Sequence, residues 1–519
     1  MISDNRSIQE LAALLLAHGV KDVVLCPGSR NAALTHTLSQ TAQFRCHALT
    51  DERSAGFYAL GLSLSTGRPA AVCVTSGSAL LNLHPAVSEA YYQQVPLVVV
   101  SADRPQAWVG QMDGQTLPQP GVFGSLVRCS VQLPEIHTDE ERWYANRLIN
   151  EALLSATQGG GGPVHINVPI PEPFYEFHTE CLPTVRVIRR QTLPELLKQA
   201  WWLRREKCLI AVGQHPTALH FPQGCAVLSE HIGNQQEGIR GNLDALIANM
   251  PEEASDDFRP HLLVTIGGHI VSKRFKQFLR NHPPQHHVHI SPRGEVTDTF
   301  QCLTDIVTCT GEDFCLATQL QVPQPQAEEA RAYTQMWEQL AEDVRMKEGK
   351  KPLTEEESAV RLLLSRLPKH AVLHLANSSA VRLAEKFPVR EEVLVQCNRG
   401  VNGIEGSLST AVGYATARPD RQHFAVIGDL SFFYDQNALW NTRLPQNLHI
   451  LLLNNGGGKI FETLPIPDEP RSRDFICGHH HASAEAACRQ YGLRYLNGPE
   501  KMAEFVASEQ CTLLEIKTI

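Results

Sequence analysis

The chain has 519 residues, 19% of them charged, and a formal net charge of −9. That length allows about three ordinary domains, and the composition is that of a soluble globular protein. With no run of eighteen apolar residues it excludes a transmembrane helix, and its acidity argues against nucleic acid or anionic membrane as partner. The opening MISDNRSIQE is acidic and polar rather than basic then apolar, so no signal peptide and a cytoplasmic location are expected. The 14 cysteines are scattered without a Cys-x-x-Cys pair, and Cys302, Cys309 and Cys315 lack zinc-ligand spacing. Reduced, mostly buried thiols are expected.

Residues 1–178 read as a first α/β domain. Ser7 and Glu10 form a capping-box pattern ahead of an apolar face, Leu11, Leu14 and Leu15, that ends at Gly19. Val23–Cys26 is a short buried strand, and it stops at Pro27-Gly28-Ser29-Arg30-Asn31. Arg30 there suits either an anion clamp or a surface salt bridge. Thr50-Asp51-Glu52-Arg53-Ser54 precedes a small-residue helix, Ala55–Leu64, and its acids serve either capping or a site. The strand Ala71–Val74 runs into Thr75-Ser76-Gly77-Ser78-Ala79, a turn fit for an anion or simply for starting a helix. The strand Pro96–Ser101 closes at Ala102-Asp103-Arg104-Pro105. A long loop follows, Trp108–Phe123, with Gln111, Asp113, Gln115 and Gln119; such loops at a sheet edge are often functional. Val164–Val168 is the last strand before a proline-rich break.

Residues 179–350 read as a second α/β domain with strands Leu209–Val212, Ala226–Leu228, Leu262–Ile266 and His287–Ile290. It holds no G-x-G-x-x-G fingerprint, so a dinucleotide site is unsupported. Ser272-Lys273-Arg274 opens a helix, where Lys273 and Arg274 face an acidic ligand or decorate the surface. From Val322 the chain turns polar and proline-rich, as a linker would.

Residues 351–519 read as a third domain. Thr354 and Glu357 make a capping box before the helical face Val360, Leu363, Leu364 and Leu367. The strand Val372–Leu375 ends at Asn377-Ser378-Ser379, with Arg382 on the helix beyond. The strand Val393–Gln396 ends in Asn398-Arg399-Gly400 and a glycine-rich run to Gly406. Two further apolar runs, Phe424–Ile427 and His449–Leu453, end in Gly428-Asp429 and in Asn454-Asn455-Gly456-Gly457-Gly458. They read as buried parallel strands joined by a crossover helix, with ligand chemistry at their carboxyl edge. An Asp, an Asn and a glycine carbonyl suit a hard cation such as Mg²⁺ beside a phosphate; the plain alternative is a βαβ unit with ordinary Asp-Ser and Asn-Gly turns. His479, His480 and His481 are expected in a loop.

Gly428-Asp429 and Asn455, 26 residues apart, resemble the metal and thiamine diphosphate motif of thiamine-dependent enzymes, with Leu430 replacing its second glycine. GDLS-x-x-YD-x-NAL and NN-x-GG-x-IF narrow that resemblance. With CPGSRNAAL, TDERSAGFYALG, TSGSALLNLHPA, SADRP, QTLPQPGVFG, INVPIPEP, SKR, NSSAVR and NRGVNGIEGSLST in the same order, the chain resembles one family throughout. That family is the 2-succinyl-5-enolpyruvyl-6-hydroxy-3-cyclohexene-1-carboxylate synthases of menaquinone biosynthesis.

The resemblance implies a transferase with pyrimidine-binding (1–178), central (179–350) and diphosphate-binding (351–519) domains. It further implies a homodimer or dimer of dimers with shared active sites, and thiamine diphosphate with Mg²⁺ or Mn²⁺. The implied reaction decarboxylates 2-oxoglutarate and adds the succinyl carbanion equivalent to isochorismate. Glu52 corresponds to the glutamate on the cofactor's aminopyrimidine nitrogen. Asp429, Asn455 and the Gly457 carbonyl correspond to the metal ligands. Thr75, Ser76, Gly77, Asn82, Ile404, Gly428, Leu430, Ser431 and Ile460 fall at cofactor-binding positions. Ser29, Arg30, Arg104, Gln115, Lys273, Arg274, Ser378, Arg382 and Arg399 correspond to the substrate pocket, with Ile460 and Phe461 as its apolar wall; Glu52, Arg30, Ser29 and Gln115 are the catalytic set. Gly114 stands where many members have Asn. A different thiamine-dependent carboligase or decarboxylase would need fewer pocket arginines, and a non-catalytic regulatory subunit would have lost Glu52 or a metal ligand.

Overall fold

A computed structural model describes residues 1–204, 207–319, 328–441, 443–463 and 470–518. Two compact units emerge: Met1–Arg190 with Glu295–Ile306, and Gln191–Gly294 with Val307–Ile519. The first unit holds β1 (Asp22–Leu25), β2 (Arg45–Ala48), β3 (Ala70–Val74), β4 (Leu97–Asp103), β5 (Cys129–Gln132) and β6 (Val164–Pro169). They form an all-parallel sheet in the order β2-β1-β3-β4-β6-β5. Two short strands, β7 (Arg189–Gln191) and β13 (Asp305–Val307), lie at the borders of the units.

In the second unit, β8 (Cys208–Val212), β9 (Cys225–Ser229), β10 (Ile239–Arg240), β11 (Leu262–Ile266) and β12 (His286–Ile290) run parallel in the order β10-β9-β8-β11-β12. A further parallel sheet joins β14 (Val372–Leu375), β15 (Leu394–Cys397), β16 (His423–Gly428), β17 (Leu448–Asn454), β18 (Arg494–Asn497) and β19 (Thr512–Lys517) in the order β15-β14-β16-β17-β19-β18. The fold class is therefore α/β, with three mainly parallel sheets flanked by helices.

The central strands are buried along their whole length: β1, β3, β4 and β6 in one sheet, β8, β9 and β11 in the next, β14 and β17 in the last. Helices on both faces of a parallel sheet require this, so these strands read as continuous apolar runs. The predicted strands hold to within two residues at each end. The strands β2, β5, β10 and β18 escaped the sequence reading because they are short and mix polar with apolar residues, and the interior strand β19 escaped it although it is largely buried. All fourteen cysteines are free, and most are buried.

Three expectations need correction or limits. The first helix, Arg6–Ala17, is capped by Asn5, whose side chain accepts from the Ser7 and Ile8 amides. Ser7 instead donates to the Pro134 carbonyl, and the buried Glu10 accepts from Asn146 and Arg142. The Ser-x-x-Glu spacing there serves tertiary contacts rather than a capping box, whereas Thr354 and Glu357 do form one. The helix expected at Ala55 begins at Glu52, with Asp51 as its cap. The linker expected from Val322 begins outside the described residues.

Between the second and third sheets' helices, two carboxyls are shut away from water. Glu230 accepts from the Val271 and Ser272 amides, and Glu385 accepts from the His231 amide through both oxygens. Burial, with Glu385 as neighbour, pushes the Glu230 carboxyl up to about 8; burial does the same to Glu385. A carboxyl raised in the fold contributes stability that is complete below its unfolded value and is lost as pH rises through the folded one. Melting measured at pH 6 and pH 9 is expected to show Glu385→Gln gaining on the native chain at the higher pH, by at least ~2 °C. Equal differences at the two pH values would contradict this.

Candidate active site

In the first unit the site residues collect at the carboxyl ends of β1, β2, β3 and β4. Glu52 opens the helix Glu52–Thr66, and its Oε2 accepts from Asn82 Nδ2 at 3.1 Å. Asn82 is delivered by the short helix that follows Thr75-Ser76-Gly77. Gly77 has φ +82°, and its amide donates to Gln119 Oε1 at 2.7 Å. A Cβ there would fall 3.1 Å from the Gln115 carbonyl, so the turn and the long loop meet backbone to backbone. Gln119 is fully buried and also donates to the Ala102 carbonyl and to Asn167 Oδ1, anchoring the loop to the sheet. Asn167 in turn donates to Asp103 Oδ2. Burial raises the Asp103 carboxyl, against the pull of that hydrogen bond.

Arg30 is a buried arginine paired with a largely exposed carboxylate. It is 5% exposed, donates to the Ile170 carbonyl and to Glu172 Oε1, both at 3.0 Å, and lies over the Phe174 ring. Glu172 Oε1 also stands 3.8 Å from Arg104, which pairs with Asp113 at 3.0 Å and donates to the Gly114 carbonyl. One carboxylate thus gathers two of the arginines expected in the substrate pocket. Ser29 and Gln115 are exposed. Gln115 adopts φ +56°, a conformation that costs a non-glycine residue energy and recurs at functional loops.

In the second unit the organising group is Asp429, 2% exposed. Its Oδ2 accepts from the Asn455, Gly456 and Gly457 amides at 3.0, 2.8 and 3.0 Å, and its Oδ1 from the Leu430 amide at 2.6 Å. Burying a carboxylate costs several kcal/mol, on the order of what charge-assisted bonds of about 1.5–3 kcal/mol each return. Four such bonds outweigh the cost, so a single side chain at the end of β16 shapes the turn after β17. His480 Nδ1 accepts from the Ala482 amide, which leaves the ring proton on Nε2, 3.4 Å from Asp429 Oδ2. The three histidines do lie in a loop. Gly428 lies at the end of β16, just before Asp429. The expected crossover helix is short, Asp429–Asp435, and it starts on the site residue itself. Ser431 on it donates to the Ile404 carbonyl, joining two predicted cofactor positions.

Arg399 is 7% exposed and donates to Asn377 Oδ1 at 2.8 Å, while Asn377 holds the Asn398 and Gly403 carbonyls. Ser378, the next residue, has φ +68°. Asp244 lies 3.7 Å from Arg382 and also accepts from the Arg274 amide and the Ser272 hydroxyl, linking the two helices that carry pocket cations. Lys273 and Arg274 are exposed, and Ile460 and Phe461 lie on the short helix Lys459–Thr463. Sequence reasoning missed Asp244 and Glu172, and it named Gln119, Asn377 and His480 without their contacts, which no local motif encodes.

Asn455 Oδ1 is buried without a hydrogen-bond partner among the described residues. An acceptor left bare, beside a carboxylate and the Gly457 carbonyl, fits a hard cation. No cluster of three His, Cys, Asp or Glu side chains suited to a metal occurs among the described residues, so any cation here would rest on mixed oxygen donors.

A family profile described as "Thiamine pyrophosphate enzyme, N-terminal TPP binding domain" matches residues 7–122. The match covers the first parallel sheet as far as the long loop after β4. A 2-succinyl-5-enolpyruvyl-6-hydroxy-3-cyclohexene-1-carboxylate synthase of Phocaeicola vulgatus is 49% identical over 550 residues, covering 100% of this chain and 96% of the relative. A synthase of the same name from Bacteroides fragilis is 50% identical, covering 95% and 91%, and one from Desulfotalea psychrophila is 36% identical, covering 94% and 92%. The chain belongs to the 2-succinyl-5-enolpyruvyl-6-hydroxy-3-cyclohexene-1-carboxylate synthase family. Its cofactor is thiamine diphosphate and its substrates are small molecules. No helix among the described residues is long and apolar enough to cross a membrane.

Gly28 shows how tightly the first half of the site is built. A Cβ on it would fall 2.4 Å from Thr75 Cβ. Gly28→Ala is expected to lose ~1–3 kcal/mol in urea unfolding, as overpacking does. Stability within about 0.5 kcal/mol of the native chain would contradict the close approach.

Proposed function

We propose that this chain condenses 2-oxoglutarate with isochorismate, releasing CO₂ and 2-succinyl-5-enolpyruvyl-6-hydroxy-3-cyclohexene-1-carboxylate, in menaquinone biosynthesis. The observation that carries the reading is near-full-length identity of about half to synthases of that name, with the Asp429–Asn455 turn intact. Mg²⁺, or Mn²⁺, is the proposed metal, held by Asp429, Asn455 and the Gly457 carbonyl against the cofactor's diphosphate. Bound thiamine diphosphate supplies the nucleophilic carbon and the electron sink that decarboxylation needs.

The protein's share is placement and charge. Glu52 holds a proton at the pyrimidine nitrogen, and Asn82 fixes the carboxylate that does so. Thr75, Ser76 and Gly77 would help hold the cofactor. Gly428, Leu430, Ser431, Ile404 and Ile460 line the rest of the cofactor. Both substrates carry several carboxylates, so Arg30, Arg104, Lys273, Arg274, Arg382 and Arg399 are their clamps, with Ser29, Gln115 and Ser378 as hydrogen-bonding partners and Phe461 as apolar wall. Arg30, Arg104 and Arg399 are already held by Glu172, Asp113 and Asn377, so little side-chain freedom is lost when substrate arrives. A three-domain division at 178/179 and 350/351, a cytoplasmic location and a homodimer or dimer of dimers that shares its active sites complete the proposal.

Product analysis with thiamine diphosphate, Mg²⁺, 2-oxoglutarate and isochorismate tests this reading. One CO₂ per condensation product is expected; turnover of pyruvate without condensation would reject it in favour of another carboligase. Glu52→Gln is expected to reduce turnover by at least ~100-fold while cofactor binding is largely kept. Near-normal turnover would remove the role assigned to Glu52.

A further inference from the structure

The two ends of the Asn455 amide meet opposite surroundings. Nδ2 donates to Glu356 Oε1 at 2.8 Å, while Oδ1 is buried and bare among the described residues. Glu356 comes from a separate element, the first turn of the helix Glu355–Arg366. Its position is set without Asn455: the Thr354–Glu357 capping box fixes that helix start, and Lys386 pairs with Glu357 at 2.6 Å.

An ionised carboxylate only accepts hydrogen bonds, so the amide must turn its NH₂ towards Glu356. The reversed amide would set two acceptors face to face and point hydrogens at the place a cation would take. Leaving Oδ1 bare costs about 1–3 kcal/mol, a cost that an electropositive ligand removes. The bond to a carboxylate also makes the amide oxygen a stronger donor to metal, as outer partners of metal ligands do.

We infer that Glu356 is a positioning residue for the divalent cation, holding Asn455 with its carbonyl oxygen turned to the metal. This rests on the metal site of the proposed function. It adds to that site a carboxylate that touches neither metal nor cofactor and decides which atom of Asn455 is presented.

The experiment is a Mg²⁺ titration of thiamine diphosphate binding followed by calorimetry, with Mn²⁺ binding read independently by electron paramagnetic resonance. Glu356→Ala is expected to weaken metal affinity by about 10–100-fold, and Glu356→Gln, which can donate as well as accept, by a smaller factor. Turnover at saturating metal should return to the native value. Glu355→Ala, one residue earlier and exposed, should leave metal affinity unchanged. Melting of the metal-free variants reports any loss of the helix start. Native metal affinity in both Glu356 variants would overturn the inference, as would equal weakening by Glu355→Ala. If the native chain bound thiamine diphosphate without any dependence on Mg²⁺, the metal site itself would fall, an outcome distinct from a failure confined to Glu356.

Discussion

A single buried carboxylate organises the carboxyl edge of the last parallel sheet. Asp429 ends one strand, and by accepting three consecutive amides it dictates the turn that ends the neighbouring strand. Those amides cannot then point elsewhere; the Asn455 side-chain oxygen is left bare among the described residues, while the Gly457 carbonyl accepts from the Lys459 amide. Only glycine suits the turn: Gly456 has φ +79° and Gly457 φ +152°. Leu430, which departs from the general thiamine motif, gives Asp429 its fourth bond through its backbone and so leaves the geometry intact.

The pocket cations follow a second constraint. A guanidinium taken from water needs partners, yet one fully paired has nothing left for substrate. Arg30 and Arg104 share the largely exposed Glu172, and Arg399 has one neutral partner, Asn377. Burial lowers the Arg399 pKa and Arg382 adds to the effect, while Cys397, Glu230 and Glu385 oppose it.

How much was legible beforehand varies with the range of the interaction. Most central strands were read to within two residues because parallel sheets bury both faces, leaving a continuous apolar run; β19, whose Thr512, Glu515 and Lys517 interrupt that run, was not. The Asp429 and Asn455 pairing was legible because its partners sit at strand ends a fixed crossover apart. The cap of the first helix was misread because Ser7 and Glu10 have the right spacing but are claimed by Pro134, Asn146 and Arg142, more than a hundred residues away. Glu356, Asp244 and the role of Glu172 were invisible for the same reason: each looks like an ordinary polar residue until the fold brings its partner to it.

The direct test of the Asp429 hub is thiamine diphosphate binding to Asp429→Asn across a range of Mg²⁺ concentrations. The substitution keeps size and removes the charge that gathers the three amides and, in the proposed site, faces the cation. Binding weaker by at least ~100-fold, with the Mg²⁺ dependence moved to higher concentration, is the predicted result. Native affinity with an unchanged Mg²⁺ dependence would contradict it.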